Sequence, residues 1–140
     1  MKKLLSLVGL IFLCSCISNN GDKFTNIVEP KNDEAVVYFY RPSNFGSMIY
    51  FRVKDEINTP IRTIYRKSYF PYVTKKLGER KFTAETETES AVSLKLEAGQ
   101  TYFVESGLKF GILVGRPDFK VIQNKERALE DLKKCYISNN

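Results

Sequence analysis

The sequence contains no histidine and no tryptophan, and only three of its 140 residues are cysteine. Without histidine, the chain lacks the commonest general base and the commonest protein ligand for transition metals. This excludes catalytic sites that need a histidine beside a serine or a cysteine. We therefore expect a protein that is not an enzyme and that carries no metal or other cofactor. Because tryptophan is absent, the aromatic side chains available for a core are eight tyrosines and ten phenylalanines.

The first residues have the pattern of an export signal. Lys2 and Lys3 precede an apolar run at residues 4–13. A helix needs roughly 20 apolar residues to cross a bilayer, so this run is too short to span one. A short basic region followed by a short apolar run is typical of a secretory signal peptide.

The segment Leu13-Cys14-Ser15-Cys16 resembles the bacterial lipobox, which has leucine, a small residue and then an obligatory cysteine. The resemblance implies cleavage after Ser15, a diacylglycerol on the Cys16 thiol and an acyl chain on its freed amine. Two or more chains hold a protein stably on a membrane. Cys14 is a poor candidate because the bulky Leu13 precedes it. The alternative is an ordinary signal peptide with two incidental cysteines.

The residue after Cys16 bears on location. Ile17 stands where many inner-membrane lipoproteins of Gram-negative bacteria have aspartate, so the resemblance implies an outer-membrane lipoprotein that faces the periplasm. Nucleic acid is not an expected partner there. Without Lys2 and Lys3 the formal charge falls from +6 to +4, which permits attraction to anionic lipid or glycan without requiring it.

The pattern divides the chain into a signal peptide at residues 1–15, a lipidated cysteine with a polar tether at 16–34, and a domain at 35–140. The tether shows no hydrophobic period and would span about 20–25 Å if it were flexible. From residue 35, short runs rich in β-branched and aromatic residues predict strands. These runs lie at 35–41, 48–54, 59–65, 68–74, 81–89, 91–97, 101–107, 110–116 and 119–123.

The pattern changes near the end of the chain. Ala128, Leu129, Leu132 and Cys135 fall on one stripe of a predicted helix, and Asn124 can cap its first turn. The whole predicts a mainly β protein, a small antiparallel β-sandwich with one C-terminal α-helix. After cleavage Cys135 is the one remaining thiol, so no intrachain disulfide can form. We expect a buried, inert thiol, with an intermolecular disulfide as the alternative.

Three short motifs carry a wider resemblance: Tyr38-Phe39-Tyr40-Arg41-Pro42 at the end of a strand, the Leu77-Gly78 turn, and the turn and aromatic strand at residues 99–104. With these motifs, residues 35–135 resemble a family of bacterial envelope lipoproteins that carry a domain of unknown function. The turns are also similar to those of small β-sandwich modules of the PEGA type. The resemblance implies a fold and an envelope location, and it supplies no catalytic residue.

Basic residues are the candidates for a binding surface. Arg41 either presents its guanidinium to an anionic ligand or forms a structural ion pair or a stack on a tyrosine. The stretch at 62–81 is strongly basic and is interleaved with aromatic residues. Its candidates for contact with glycolipid phosphates, lipid headgroups or an acidic partner are Arg66, Lys67, Lys75 and Lys76. The alternative is a solvated face of two strands.

Acidic residues offer the one catalytic alternative. Glu85, Glu87 and Glu89 alternate along a predicted strand, so their carboxylates would share a face at a spacing of roughly 6.5–7 Å. Paired carboxylates can serve as acid and base in glycoside hydrolysis, which would here act through Glu85 or Glu87. They can also bind calcium. Exposed strands also carry such charges to prevent edge pairing. Three equally exposed carboxylates give no reason for their pKa values to diverge, which disfavours catalysis.

The sequence as a whole predicts a lipid-anchored envelope lipoprotein that acts as a non-catalytic accessory or binding module for an envelope protein or an anionic glycolipid. A cell-wall glycan hydrolase and a structural coat lipoprotein without a specific ligand are the two alternatives. Neither the partner nor the ligand is identified by the residues.

Overall fold

A computed structural model describes residues 21–139 as two packed β-sheets and one short helix. The predicted signal peptide and the predicted lipidation site, Cys16, lie outside the described residues. In chain order the elements are β1 (Ala35–Arg41), β2 (Phe51–Lys54), β3 (Pro60–Ile64), β4 (Ser68–Thr74), β5 (Gly78–Glu85), β6 (Glu89–Leu96), β7 (Thr101–Lys109), β8 (Arg116–Val121), α1 (Lys125–Leu132) and β9 (Tyr136–Ile137).

The strand order is β8-β7-β1-β4-β9 in one sheet and β3-β2-β5-β6 in the other. This confirms the predicted mainly β, sandwich-like fold with one C-terminal helix. The prediction of antiparallel pairing holds in the four-stranded sheet but is wrong for two pairs in the other sheet, since β1 runs parallel to β7 and β4 runs parallel to β9. β1 and β7 both begin at the same end of the sandwich and therefore run in the same direction. There the Gly99 N–H donates to the Glu34 carbonyl, at 2.7 Å.

Strand β1 lies at the centre of the five-stranded sheet, and all seven of its residues are buried. Val37 and Phe39 face the four-stranded sheet. The Phe39 ring packs against Phe70 of the neighbouring strand β4 and against Phe82 of the facing sheet, at 5.3 and 5.1 Å between ring centroids. Alternate residues face the other way into a second apolar cluster. A strand covered on both faces explains why the run "AVVYFYR" is apolar throughout rather than alternating.

The second cluster is covered by the C-terminal helix. Ala128 and Leu132 are buried against the sheet, and the Asn124 side chain accepts a hydrogen bond from the Arg127 N–H at 2.8 Å. This confirms the predicted helix and its cap, and it confirms Ala128 and Leu132 of the predicted stripe, but the helix ends at Leu132 and does not include Cys135. Cys135 follows the helix and is also buried in this cluster.

Part of the predicted tether belongs to the folded domain. The Ile137 N–H donates to the Asp22 carbonyl at 2.8 Å, and the Phe24 N–H donates to the Cys135 carbonyl at 3.0 Å. Further along, the Val28 N–H donates to the Tyr38 hydroxyl at 2.6 Å. The polar composition of this segment concealed its one large apolar anchor.

That anchor is Phe24, whose ring is 5% exposed. It packs edge-on against Tyr38 and Tyr69, at 6.2 and 5.4 Å between ring centroids. Because this segment covers the outer face of the five-stranded sheet, the residues from Asp22 onwards belong to the folded domain, so the predicted boundary at residue 34 lies too far along the chain.

Two predicted strands differ from the structure in their extent. The run at 81–89 contains the end of β5, a turn at 86–88 and the start of β6, so it folds back as a hairpin. The run at 110–116 is a loop up to residue 115. β4 contains Pro71, which has no N–H to donate, and β9 pairs only with Ser68 and Tyr69, which leaves Pro71 beyond the end of that partner strand.

Replacing Phe24 with alanine tests whether the segment around it is part of the domain. Removing a buried phenylalanine side chain should lower the free energy of unfolding by about 3–5 kcal/mol, measured by urea denaturation. Val28→Ala, in the same segment but at a side chain that is 46% exposed, is the matched control and should change it by less than about 1 kcal/mol. A free tether would instead give two equally small effects.

Candidate functional site

Four connections meet at one end of the sandwich, which we call the loop end. They are the segments at 42–50, 65–67, 86–88 and 110–115. β1 and β7 run towards this end, β5 leads into it, and β2, β4, β6 and β8 start from it. We call the end at which β1 begins the opposite end. Several unusual side-chain contacts are concentrated at the loop end.

Arg41 fixes the first of these loops from inside the protein. It is fully buried at the end of β1, and its guanidinium donates to the carbonyls of Ile49 at 2.7 Å, Gly46 at 2.9 Å and Phe45. Burial lowers the pKa of Arg41 to about 10, so the side chain stays protonated at neutral pH. The functional prediction for Arg41 is therefore wrong in its geometry, because a buried guanidinium bound to backbone carbonyls cannot be presented to an external anion.

Glu87 fixes the second loop with the opposite charge. From the β5–β6 turn, its carboxylate accepts hydrogen bonds from the N–H groups of Ile112 at 2.8 Å, Leu113 at 2.9 Å and Val114 at 3.4 Å. The Arg116 guanidinium donates to the same carboxylate at 3.0 Å. These donors, led by the Leu113 N–H, lower the pKa of Glu87 to about 2.

The loop around Glu87 leaves no room for a side chain at Gly111. A Cβ there would collide with the Val114 carbonyl and the Glu87 carboxylate. The Thr86 hydroxyl adds a further contact by donating to the Gly115 carbonyl at 2.6 Å. The loop at 110–115 is thus closed onto the β5–β6 turn by both backbone and side-chain groups.

The two loops also touch each other. The rings of Phe45 and Phe110 pack edge-on at 4.9 Å between centroids. A Cβ at Gly46 would meet the side chain of Leu108, and one at Gly115 would lie 3.3 Å from that side chain and 3.4 Å from Ile49. The two loops therefore form one continuous surface with a fixed shape.

That surface is apolar. Met48, Phe110, Ile112 and Leu113 are each between 84% and 89% exposed, and Phe45 and Val114 are partly exposed beside them. Single exposed apolar residues are ordinary on soluble proteins, but a contiguous group of this size marks an interaction surface. We call these six residues the apolar tip.

A tyrosine pair joins the apolar tip to a basic turn. The ring centroids of Tyr50 and Tyr65 lie 5.5 Å apart. Tyr65 is followed directly by Arg66 and Lys67 in the β3–β4 turn. Arg66 and Lys67 are both exposed. Lys67 has a φ of 47°, so the turn places it in the left-handed region.

The four predicted basic candidates of the 62–81 stretch do not form one surface. Arg66 and Lys67 precede β4 at the loop end, whereas Lys75 and Lys76 follow β4 at the opposite end. Eight residue steps along an extended strand separate Lys67 from Lys75 by on the order of 25 Å. Lys75 pairs with Asp33 at 2.8 Å, which raises the pKa of Lys75 and lowers that of Asp33.

The three predicted carboxylates do not share a strand face either. Glu85 and Glu89 are paired across the β5–β6 hairpin, and Glu87 lies in its turn. The Lys54 ammonium lies 4.0 Å from Glu85. A Glu87 carboxylate that accepts four hydrogen bonds and has a pKa of about 2 is not a proton donor near neutral pH, so this geometry does not support it as a general acid.

The predicted burial of the Cys135 thiol is confirmed. Burial raises the pKa of the Cys135 thiol to about 12, and the thiol donates to the Asp131 carbonyl at 3.5 Å. A protonated thiol without solvent contact is a poor nucleophile.

The other features of the described chain are less specific. A shallow cleft of about 630 Å³ lies between β6 and the ends of β7 and β8, lined among others by Lys95, Tyr102 and Gln123. Within residues 21–139, no three potential metal-ligating side chains form a group that could hold an ion. No helix in that range is long and apolar enough to cross a bilayer.

Comparison with known proteins gives one informative match. The chain is 29% identical over 112 residues to an uncharacterized protein of Haemophilus influenzae, and the match covers 78% of this chain and 62% of that protein. The aligned region is therefore less than two thirds of the length of that protein. No family model matches the sequence, and no solved structure matches it. The resemblance to envelope lipoproteins stays a prediction.

Sequence reasoning missed the apolar tip. The run "FGILVGR" has the composition of a buried strand, and Met48 and Tyr50 belong to an alternating run. The available signal was the spacing of Gly107, Gly111 and Gly115, which predicts bends rather than a regular strand. Which side chains are exposed at such a bend depends on what packs against it.

The role of Glu87 can be tested through pH. Because folding lowers its pKa, its stabilising contribution is complete above the pKa of the unfolded chain and is lost as pH falls towards 2. Near neutral pH we expect wild type to have a larger free energy of unfolding than Glu87→Gln, and we expect this difference to disappear below about pH 4. Urea unfolding at a series of pH values measures it.

The control for this variant is Glu85→Gln in the same hairpin. At neutral pH, Glu87→Gln should speed hydrogen exchange at the amides of Ile112, Leu113 and Val114, whereas Glu85→Gln should leave their exchange unchanged. Equal exchange at these amides in wild type and Glu87→Gln would show that the carboxylate does not hold the loop.

Proposed function

We propose that this protein is a lipid-anchored lipoprotein of the bacterial envelope that acts as a non-catalytic binding module. Cys16 carries the lipid, and the domain from Asp22 onwards presents the apolar tip as its binding surface. The location that fits Ile17 after the modified cysteine is the periplasmic face of the outer membrane.

The single observation that carries the anchor is the order of residues at the start of the chain. The basic Lys2 and Lys3 are followed by a mainly apolar run at residues 4–13 and then by Cys14-Ser15-Cys16, which together have the features that a lipoprotein signal requires. A short apolar run of this kind is removed by cleavage, and acyl chains on Cys16 take over the attachment to the membrane.

A binding role is supported by the way in which the apolar tip is built. Exposed apolar side chains on two loops would collapse onto the protein if the loops were free to move. Here Arg41 holds one loop and Glu87 holds the other, so the apolar side chains stay outside. Rigid presentation reduces the entropy lost on binding.

A non-catalytic role is supported by the fate of the acidic candidates. Glu87 is used to hold a loop, and Glu85 and Glu89 lie opposite each other at the base of the same hairpin. The Glu87 carboxylate is occupied by four donors, so the hairpin does not present its three carboxylates on one face as glycoside hydrolysis would need.

The anchor is tested by two matched cysteine variants of the full chain in bacteria fed radiolabelled palmitate. Cys16→Ala should lose the label, because no acyl chain can be attached. Cys14→Ala should keep the label and the membrane location, because Ser15 and Cys16 still form the cleavage site.

Two results would contradict the proposal. Label that persists in Cys16→Ala would mean that another residue carries the lipid, and absence of label in wild type would mean an ordinary signal peptide. Sucrose-gradient separation of inner and outer membranes of the wild-type strain tests the location, which we expect to be the outer membrane.

A further inference from the structure

We infer that the apolar tip is a second membrane contact, which enters the headgroup region of the bilayer that holds the Cys16 anchor. The inference rests on the proposed function for the position of the anchor. The surface itself is argued from its own contacts, and its ligand is a lipid bilayer with anionic headgroups.

The loop end combines the residue types that a membrane interface requires. Met48, Phe110, Ile112 and Leu113 are its most exposed apolar side chains, and such side chains favour the acyl boundary. Tyr50 follows Met48 closely in the chain and packs its ring against that of Tyr65, and tyrosine hydroxyls suit the level of the headgroups.

Two basic residues come next to the tyrosine pair. Arg66 and Lys67 are exposed at the turn that Tyr65 begins. Basic side chains beside an apolar surface are attracted to anionic headgroups, each by about 1 kcal/mol of interaction. A protein partner would need an apolar surface with an acidic rim to match the same arrangement.

Backbone groups of the two loops also have hydrogen-bond partners within the protein, as the water-poor membrane interface requires. An irregular loop at a membrane normally leaves N–H and C=O groups without partners, and each costs several kcal/mol in hydrocarbon. Glu87 accepts from the N–H groups of Ile112, Leu113 and Val114, so these donors need no water. The loop can therefore enter the interface without leaving these three groups unsatisfied.

Arg41 plays the complementary part in the other loop. Its guanidinium donates to the carbonyls of Phe45, Gly46 and Ile49, and it does so from a fully buried position that no headgroup reaches. The two charged residues thus satisfy three N–H groups in one loop and three carbonyls in the other.

The start of the described chain lies within reach of the same bilayer. Gly21 is close to the level of Tyr40, which is one residue before the loop end of β1. Gly21 lies against Ile137, which pairs with Tyr69, and Tyr69 in turn pairs with Tyr40. The five residue steps from Cys16 to Gly21 span at most about 17 Å.

The apolar tip lies at a matching height. Tyr40 is level with Glu105, and Lys109 at the end of β7 is four residues, or about 13 Å, farther towards the loop end. The anchor and the apolar tip can therefore occupy one bilayer surface. The opposite end carries the Lys75–Asp33 ion pair, and its exposed apolar residues are less exposed than Met48, Phe110, Ile112 and Leu113: Ile57 is 72% exposed, Val73 43% and Leu77 39%.

The absence of tryptophan allows a direct test with single reporters. Leu113→Trp places one tryptophan in the apolar tip, and Leu77→Trp places one at the opposite end, where the side chain is also exposed. Each full-length variant is purified from membranes and reconstituted in vesicles of equal parts phosphatidylcholine and phosphatidylglycerol with brominated acyl chains. We expect blue-shifted, strongly quenched emission at position 113 and neither effect at position 77.

The outcomes separate this inference from the proposed anchor, provided that the mass of the N-terminal fragment shows whether Cys16 is acylated. No quenching at position 113 in acylated protein overturns the inference and leaves the anchor. Quenching at position 113 in protein without acylation supports the inference and removes the anchor. A concentration-dependent blue shift at position 113 without vesicles would overturn the inference in favour of a second copy of this chain.

A charge-matched pair of double variants tests the choice of anionic lipid. Arg66→Gln with Lys67→Asn removes two charges at the loop end, and asparagine tolerates the left-handed backbone at position 67. Lys75→Gln with Lys76→Gln removes two charges at the opposite end. In the Leu113→Trp background, the first pair should lower the ratio of quenched to unquenched protein by roughly 25-fold, and the second should not change it.

The lipid composition completes this test. In vesicles of phosphatidylcholine alone, the two double variants should give the same quenching, because no anionic headgroup is present to bind Arg66 or Lys67. An equal effect of the two double variants in vesicles with phosphatidylglycerol would overturn the assignment of an anionic bilayer as the ligand.

Discussion

The burial of β1 on both faces is the constraint on which the rest of the structure depends. One side of the strand packs against the four-stranded sheet, and the other side carries Tyr38 and Tyr40 into the second cluster. A sandwich of two sheets alone would leave that second face in water. The helix α1, Cys135 and the segment around Phe24 cover it, so the beginning and the end of the domain are both drawn onto the same central sheet.

The same strand connects the core to the loop end. Arg41 is the buried last residue of β1, and its guanidinium donates to backbone carbonyls, which stabilise its charge. Desolvating a charge is costly unless it is well hydrogen-bonded, and this requirement gives the loop at 42–50 its shape. Glu87 imposes the corresponding requirement on the loop at 110–115 through N–H groups. The buried Arg41 guanidinium and the Glu87 carboxylate therefore order two neighbouring loops that carry exposed apolar side chains.

The candidate site was only partly predictable. Arg41 and Glu87 were recognised as notable residues, but the interactions expected of them were with ligands, ion partners or aromatic rings. Both residues bind backbone, and no composition or spacing rule indicates which distant loop will supply it. Arg66 and Lys67 were expected to act with Lys75 and Lys76, and the length of β4 places the two pairs at opposite ends.

The sequence by itself determined the strands at the centre of the fold, the capped C-terminal helix and the absence of histidine chemistry, because these follow from local composition and period. Only the tertiary structure decided that Phe24 is a core residue, that β1 and β7 are parallel, and that the run at 110–115 is an exposed loop. Each of these depends on contacts between segments far apart in the chain. A run of apolar residues has the same sequence pattern in a buried strand as in an exposed loop. Whether a neighbouring sheet covers the run, or a carboxylate such as Glu87 fixes it as a loop with exposed side chains, is not visible in that pattern.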